Sequence, residues 1–312
     1  MVKVSIGVIT HTPYMNNYTR LINELLKQIE GETDIEIISL VQLEKEENQL
    51  LVKNKEPKLK QFVIYDILSP PKARNYILEN ACGDWIAFID GDCQVGENYI
   101  SSLRKSIQNL SSDIFGVQGT IYAKDISKYG KYEFYYDIIS LIELDVCEAK
   151  KIFKSRKGMI NENVKKCYKE MNRNYVRKFQ GFNFVISKKA IEKVGKFNCG
   201  IETAEDREYS ARLNAIGGKI LLEKDLAVYH DYNMTLPRIL KRKKWHALGC
   251  AYLRKKYGEV YDTHKLKRMV YALSIFFSCK KVDYLLYQIM SDCIFWRNVK
   301  VEMKRWNDSS VR

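Results

Sequence analysis

Apolar and polar positions along the first third of the chain switch between two periods. Val4 to Thr10 reads as a strand, and Leu21, Ile22, Leu25, Leu26 and Ile29 then recur at helical spacing within Tyr18 to Ile29. Ile35 to Val41 and Phe62 to Ile67 are a second and a third strand candidate. Pro70-Pro71 breaks the chain, Ala73 to Ala81 has helical character, Gly83 ends that helix, and Trp85 to Ile89 is a fourth strand. Alternation of this kind predicts an α/β fold, a mostly parallel, doubly wound sheet with helices on both faces. Such sheets bind ligands at the carboxyl ends of their strands.

The pattern loosens after Gly116-Val117-Gln118-Gly119. Residues 124 to 178, rich in Tyr, Lys and Glu, read as helical or loop-like and interrupt the alternation. Phe182 to Ser187 resumes as strand, with a helix over Lys188 to Val194. Thr203-Ala204-Glu205-Asp206 then leads into a helix with Tyr209, Leu213 and Ile216 on one face, ended by Gly217-Gly218. Lys219 to Leu222 and Ala227 to His230 are extended, and no internal repeat or low-complexity tract is visible.

Composition narrows the class. The 312 residues suffice for one large or two ordinary domains, and 46% hydrophobic with 29% charged residues is the balance of a soluble globular protein. The start of the chain reads as a first strand rather than a secretory leader. The longest apolar stretch, Met269 to Cys279, is too short to span a bilayer and ends at Lys280-Lys281. Eight cysteines without a CxxC pair argue against a zinc ribbon or a disulfide framework and for reduced thiols. The expected location is therefore cytoplasmic. The net charge of +14 is unevenly spread: from Asp231 onward 18 Lys and Arg face 7 Asp and Glu, against 34 and 31 before it.

The candidate chemistry begins at "WIAFIDGDCQ", residues 85 to 94, where a buried strand runs into Asp90-Gly91-Asp92. Two carboxylates at one strand end repel each other unless something compensates them. Asp-Gly-Asp is also good tight-turn chemistry. The flanks favour more than a turn. "KARNYILENACGDWIAFIDGD" (72 to 92) resembles the family 2 glycosyltransferase pattern of a basic Ala-Arg-Asn, a helix, a Gly-Asp and an apolar strand into DxD. "GFNFVISKKAIEKVGKFN" (181 to 198) is similar to that family's acceptor-side strand and helix. "AEDREYSARL" (204 to 213) is similar to its Glu-Asp helix, and "AVYHDY" (227 to 232) to its late histidine. The four motifs stand in the family's order over roughly residues 3 to 232.

The resemblance implies a GT-A fold and an inverting, metal-dependent transfer from a nucleotide-sugar, with a UDP-sugar the expected donor. It implies that Asp90 touches the ribose side, that Asp92 holds a divalent metal, Mn2+ or Mg2+, and that His230 contacts that metal or the phosphates. Thr10, Gln42, Arg74 and Gly91 join Asp90 on the nucleotide-sugar side, and Asn183 falls on the acceptor side. Arg74 alone has a second reading, an arginine on a solvated helix face, and a lone His230 is commonly a satisfied core residue. Asp206 is expected as the general base and Glu205 as an acceptor-orienting neighbour. Thr203-x-x-Asp206 also fits a capping box with Thr203 as the N-cap, and both roles fit one helix start. One departure stands out: where the family commonly carries an Asp after its second strand, this chain has Val41-Gln42. A Gln amide pairs with a uracil edge as well. His11, His246 and His264 show no partner pattern.

The expected domains are a catalytic domain over residues 1–232, with the nucleotide-sugar side at about 1–120 and the acceptor side at about 121–232, and a basic helical extension over 233–312. The insert from 124 to 178 is expected to shape the acceptor site. "RILKRKKWHALGCAYLRKKYG" (238 to 258), basic and interleaved with Trp245 and Tyr252, reads first as a surface for anionic membrane and next as an ordinary packed helix. No nucleic-acid module accompanies it, so nucleic acid is not an expected partner. The acceptor is expected to be a glycan or a lipid-linked glycan, with the protein peripheral at the cytoplasmic membrane face. A homo-oligomer through the Met269 to Trp296 region is a further option. Two other functions remain: a sugar-nucleotide nucleotidyltransferase, though Thr10-His11-Thr12-Pro13 is not its Gly-rich loop, and a degenerate nucleotide-sugar or glycan-binding module.

Overall fold

The computed structural model describes residues 4–44, 56–143, 146–154, 158–258 and 265–309, and His264 lies outside them. The chain runs β1 (Val4–His11), α1 (Met15–Gln28), β2 (Ile35–Gln42), β3 (Leu59–Ile64), α2 (Pro70–Asn80), β4 (Trp85–Asp90), β5 (Gln94–Val95) and α3 (Tyr99–Ile107). It continues through β6 (Ile114–Ile126), α4 (Gly130–Ile142), α5 (Val146–Phe153), α6 (Ile160–Glu170), β7 (Tyr175–Val176), β8 (Asn183–Ser187), α7 (Lys188–Val194) and α8 (Glu205–Ala215). β9 (Lys219–Tyr232), α9 (Leu236–Tyr257), α10 (Lys265–Cys279) and α11 (Val282–Ser309) complete it.

The fold is mixed α/β around one sheet of order β3-β2-β1-β4-β8-β6-β9-β5, with β7 paired to β9. β3, β2, β1 and β4 are parallel, as the alternation predicts. β8 then runs antiparallel to β4 and β6, and β9 antiparallel to β5 and β7. The whole of β2 is buried, its polar residues Glu36, Ser39 and Gln42 included. Its buried Glu36 is compensated by the Ser5 hydroxyl at 2.6 Å, the Lys60 ammonium at 2.7 Å and the Cys82 N–H at 2.8 Å.

Departures from the sequence pattern have local causes. β3 starts and ends earlier than Phe62 to Ile67 because its register against β2 runs from Leu59 to Ile64. Tyr65 and Ile67 are exposed, and the Asp66 carboxylate accepts the Ile67 N–H at 2.8 Å in a turn. β6, thirteen residues long, has no counterpart among the strands read from the sequence and carries Gly116 and Gly119. Both glycines mark close approach: a Cβ on Gly116 would lie 2.3 Å from the Phe179 ring, and one on Gly119 2.0 Å from the Asn183 amide. The two extended pieces after Gly218 are one continuous strand, β9. The segment from 124 to 178 contains three helices, α4 to α6.

Contacts divide the chain into two compact units. The first comprises Met1–Lys124, Asn172–Cys199 and Arg212–Asp231, and so holds most of the sheet. The second comprises Asp125–Met171, Gly200–Ala211 and Tyr232–Arg312, and is helical. Within it α9 lies along α11 through Ala247, Cys250, Ala251, Phe295, Trp296 and Val299. The basic run on α9 is not one exposed face. Lys243 is buried, with its ammonium 2.7 Å from the Glu133 carboxylate of α4, and Arg242 donates to His246 Nε2 at 3.1 Å. Arg238, Lys241, Lys244, Lys255 and Lys256 are exposed. Burial pushes the Glu133 carboxyl up, but Lys243 and Arg242 outweigh it and hold the group below its ordinary value.

Candidate active site

β4 carries Asp90 to the rim of the sheet alongside Ile9 of β1. There the chain turns at once: the Gly91 N–H donates to the Ile9 carbonyl at 2.9 Å, and the Cys93 N–H to the Asp90 carbonyl at 3.0 Å. A Cβ on Gly91 would fall 2.8 Å from the Ile9 carbonyl and 2.6 Å from Thr10 Cβ, so the turn needs glycine. The tight-turn reading of Asp-Gly-Asp therefore holds, and the turn presents the two carboxylates separately.

Each carboxylate has its own basic neighbour. Arg74 Nη2 stands 3.8 Å from Asp90 Oδ1, and His230 Nε2 stands 3.4 Å from Asp92 Oδ2. Arg74, on α2, is 5% exposed, which removes the solvated-face reading. Its guanidinium lies 5.4 to 6.0 Å from the ring centres of Phe184, Phe197 and Phe88 and donates to the Gly181 carbonyl at 3.0 Å. A weakly hydrated guanidinium tolerates such an aromatic cage where an ammonium would not. His230 arrives by register: Gln94 pairs with Tyr229 and Val95 with Val228, so the next residue of β9 comes beside Asp92.

The other predicted positions divide. Thr10, at the end of β1, is buried, packs on Gly91, and its hydroxyl makes no hydrogen bond among the described residues. Gln42 ends β2, and its amide oxygen accepts the Leu68 N–H at 2.7 Å, tying down the loop before α2. Asn183 is 0% exposed. Its amide donates to the Leu226 carbonyl at 2.8 Å and accepts the Tyr99 hydroxyl at 2.8 Å, so it joins β8 to β9 and α3 instead of facing an acceptor. Burial pushes the Tyr99 phenol well above its ordinary value, which keeps it a donor. Cys93, fully buried beside the turn, is likewise pushed up by burial and by the charges of Asp92 and Asp90.

Glu205 and Asp206 open α8 in the second unit. Thr203 is not the N-cap. Ala204 holds that position, its carbonyl accepting the Glu208 N–H at 3.0 Å, and its φ of 63° is in the left-handed region. Thr203 Oγ1 instead lies 3.4 Å from His246 Nδ1 of α9, giving that histidine a partner that sequence spacing did not suggest. Burial, with Arg242, Arg207 and Lys243 nearby, pushes the His246 imidazole well below its ordinary value. Asp206 is half-buried, its carboxylate accepting the Arg207 N–H at 2.8 Å, while Glu205 is buried. α9 crosses this corner at Gly249, where a Cβ would lie 2.2 Å from the Thr203 carbonyl and 2.7 Å from Ala204 Cβ.

Among the described residues no group of three or more His, Cys, Asp or Glu is arranged to hold a metal. Asp92 and His230 form a pair, one oxygen and one imidazole nitrogen. That donor set suits a divalent cation of the Mn2+ or Mg2+ kind, which takes one or two protein ligands and completes its shell with substrate phosphates and water.

Comparison with known proteins bears on the family and the fold. The family model described as glycosyl transferase family 2 matches residues 17–195. The mannosyltransferase PcManGT from Pyrobaculum calidifontis, solved in complex with GDP-Man and Mn2+, superposes with a TM-score of 0.61 at 9% identity, over 96% of this chain and 86% of that one. TarS 1-349 from S. aureus superposes with a TM-score of 0.50 at 14% identity, over 99% of this chain and 92% of that one. No curated protein matches in sequence. The neighbours share the mixed α/β GT-A architecture with its helical C-terminal region, and with over half of its length matched by the family model the chain belongs to glycosyl transferase family 2.

Proposed function

We propose that this glycosyltransferase moves a sugar from a nucleoside-diphosphate donor, a UDP-sugar first, to a hydroxyl of a glycan or lipid-linked acceptor, with inversion at the anomeric carbon. The observation that carries the proposal is the Asp92–His230 pair at 3.4 Å on the rim of the sheet. A divalent cation bound there would offset the charge that builds on the departing diphosphate. Asp92 and His230 are its ligands in this reading. Asp90, its charge balanced by Arg74 at 3.8 Å, accepts hydrogen bonds from the donor's ribose. Thr10, whose buried hydroxyl makes no hydrogen bond among the described residues, and Gln42 line the nucleotide side. Gly91 lets the turn close against Thr10.

Asp206 takes the proton from the acceptor hydroxyl while that oxygen bonds to the anomeric carbon. The bond from that carbon to the diphosphate oxygen breaks with its electron pair leaving on the diphosphate. Glu205 orients the acceptor. The PcManGT complex with GDP-Man and Mn2+ makes a guanosine donor the first alternative to test.

Calorimetry against UDP, GDP and their sugars, with Mn2+ and with EDTA, tests the donor half. Affinity should fall on chelation in the wild type and be insensitive to EDTA in Asp92→Asn. Asp206→Asn should retain donor binding and melting temperature while turnover falls by about 10² to 10⁴. Metal-independent binding by the wild type would remove the role given to Asp92, and full activity in Asp206→Asn would remove the base.

A further inference from the structure

The last two helices carry an outward side that glycosyl transfer does not use. Among the described residues, seven of thirteen exposed large hydrophobics lie on α10 and α11, so they are concentrated and not scattered. On α10 they are Val270, Leu273 and Phe277, the last 75% exposed. On α11 they begin with Val282, Leu286 and Ile289, with Leu286 62% exposed. Steps of three and four residues keep each set on one side of its helix. The opposite side of α11, with Tyr284, Tyr287, Asp292 and Trp296, is buried. Past the exposed Cys293 the same outer side turns cationic, through Arg297, Lys300 and Lys304. Among the described side chains of α9, α10 and α11 no acidic residue is exposed.

We propose that the outer side of α10 and α11 docks on an anionic lipid surface. Phe277, Val282, Leu286 and Ile289 enter the interface, while Lys280, Arg297, Lys300 and Lys304 sit among the headgroups. Charge decides between this and a second copy of the chain. The segment from Asp231 onward holds 18 Lys and Arg against 7 Asp and Glu, so two copies bring like charge together while an anionic surface is complementary. Among the described residues no helix is long and apolar enough to cross a membrane, so the docking is peripheral. The surface differs from the one expected on α9, where Lys243 is buried against Glu133. It goes beyond the proposed reaction and does not depend on it.

Flotation of the full chain with vesicles tests the proposal, using neutral phosphatidylcholine alone or with about 30% phosphatidylglycerol, in low salt and in about 0.5 M salt. The double variant Phe277→Asp/Leu286→Asp removes the two most exposed of the four apolar anchors. The triple variant Arg297→Glu/Lys300→Glu/Lys304→Glu reverses the charge and leaves the anchors. All five residues are exposed, and circular dichroism confirms that each variant is folded. The wild type should float with the anionic vesicles and at least about tenfold less with neutral ones or in high salt, since each cation near such a surface is worth about fivefold in partitioning. Each variant should lose at least about tenfold. Absence of flotation at low salt would overturn the proposal, and so would folded variants that bind like the wild type. A dimer in sedimentation velocity that Phe277→Asp/Leu286→Asp dissociates would also overturn it, by assigning the face to a second copy.

Discussion

Gly249→Ala asks whether α9 only packs on the start of α8 or also sets it. The added Cβ would lie 2.2 Å from the Thr203 carbonyl oxygen and 2.7 Å from Ala204 Cβ, and neither atom is the end of a flexible side chain. Restoring ordinary contact means moving α9 and the 203–204 corner apart by about 1 Å, a repacking that costs about 1 to 3 kcal/mol. Alanine returns about 1 kcal/mol of helix propensity within α9. The net loss is then at most about 2 kcal/mol, or a few degrees of melting temperature. The effect on turnover should be larger. Ala204 holds a φ of 63°, a conformation that disfavours an L-residue by about 1 to 2 kcal/mol, so the corner is kept there by its surroundings and moves when pushed. A shift of about 1 Å in Asp206 lowers kcat by about 10² if Asp206 is the base. Asp90, Asp92 and His230 belong to the first unit, so calorimetric donor affinity should be unchanged. Ala204→Gly in the same background removes one close contact and the left-handed strain, and should recover part of the melting loss. If Gly249→Ala melts at or above the wild-type temperature with wild-type kcat, the corner is not held by α9 and the reasoning fails.

Two further predictions concern buried charge. Burial pushes the Glu36 carboxyl up, but Lys60, Ser5 and the Cys82 N–H more than offset this and hold its folded-state pKa below the unfolded value. Its contribution is thus present above the ordinary carboxylate pKa and is lost as pH falls through the folded value; Glu36→Gln should lower the melting temperature at neutral pH and show less additional loss on acidification, read by thermal melts from pH 7 down to about 3. Lys243→Met leaves Glu133 buried without its ammonium, which should cost about 3 to 5 kcal/mol in chemical denaturation, and Glu133→Gln added to it should restore at least half of that. A single Lys243→Met variant as stable as the wild type would show that the buried pair contributes nothing.

Much of the fold was legible because the period of an apolar pattern reports local geometry. The first two strands, the helix between them and the strand into Asp90 lie where runs of buried residues allow nothing else. What was not legible was set by distant packing. The pattern gives no strand across Gly116 and Gly119, because glycine weakens a strand signal; in β6 they admit Phe179 and Asn183, residues that only the folded sheet brings there. The capping box at Thr203 has the right spacing and the wrong geometry, because a contact with His246 of α9 draws the threonine hydroxyl away and leaves Ala204 at the helix start.

The same distinction applies to the site. The motif order placed Asp90, Asp92 and His230 on strand ends or close to them, and the ladder between β5 and β9 then brings two of the three together. It could not say what stabilises two neighbouring carboxylates. Arg74 does so for Asp90 from within a cage of three phenylalanines, all of which stand in the two quoted motifs only as apolar letters. A residue inferred from a motif as a ligand contact can thus have protein partners of its own: Arg74 stands beside Asp90, and Asn183 joins Tyr99 and Leu226. Charge along the chain has a similar limit. The run from Arg238 to Lys256 sums to a strongly basic helix, yet its middle lysine is committed to Glu133, and the exposed large apolar residues concentrate further along, on α10 and α11. Sequence gives the amount of charge in a segment. Which side of the helix it leaves to a partner depends on what the other side has already bound.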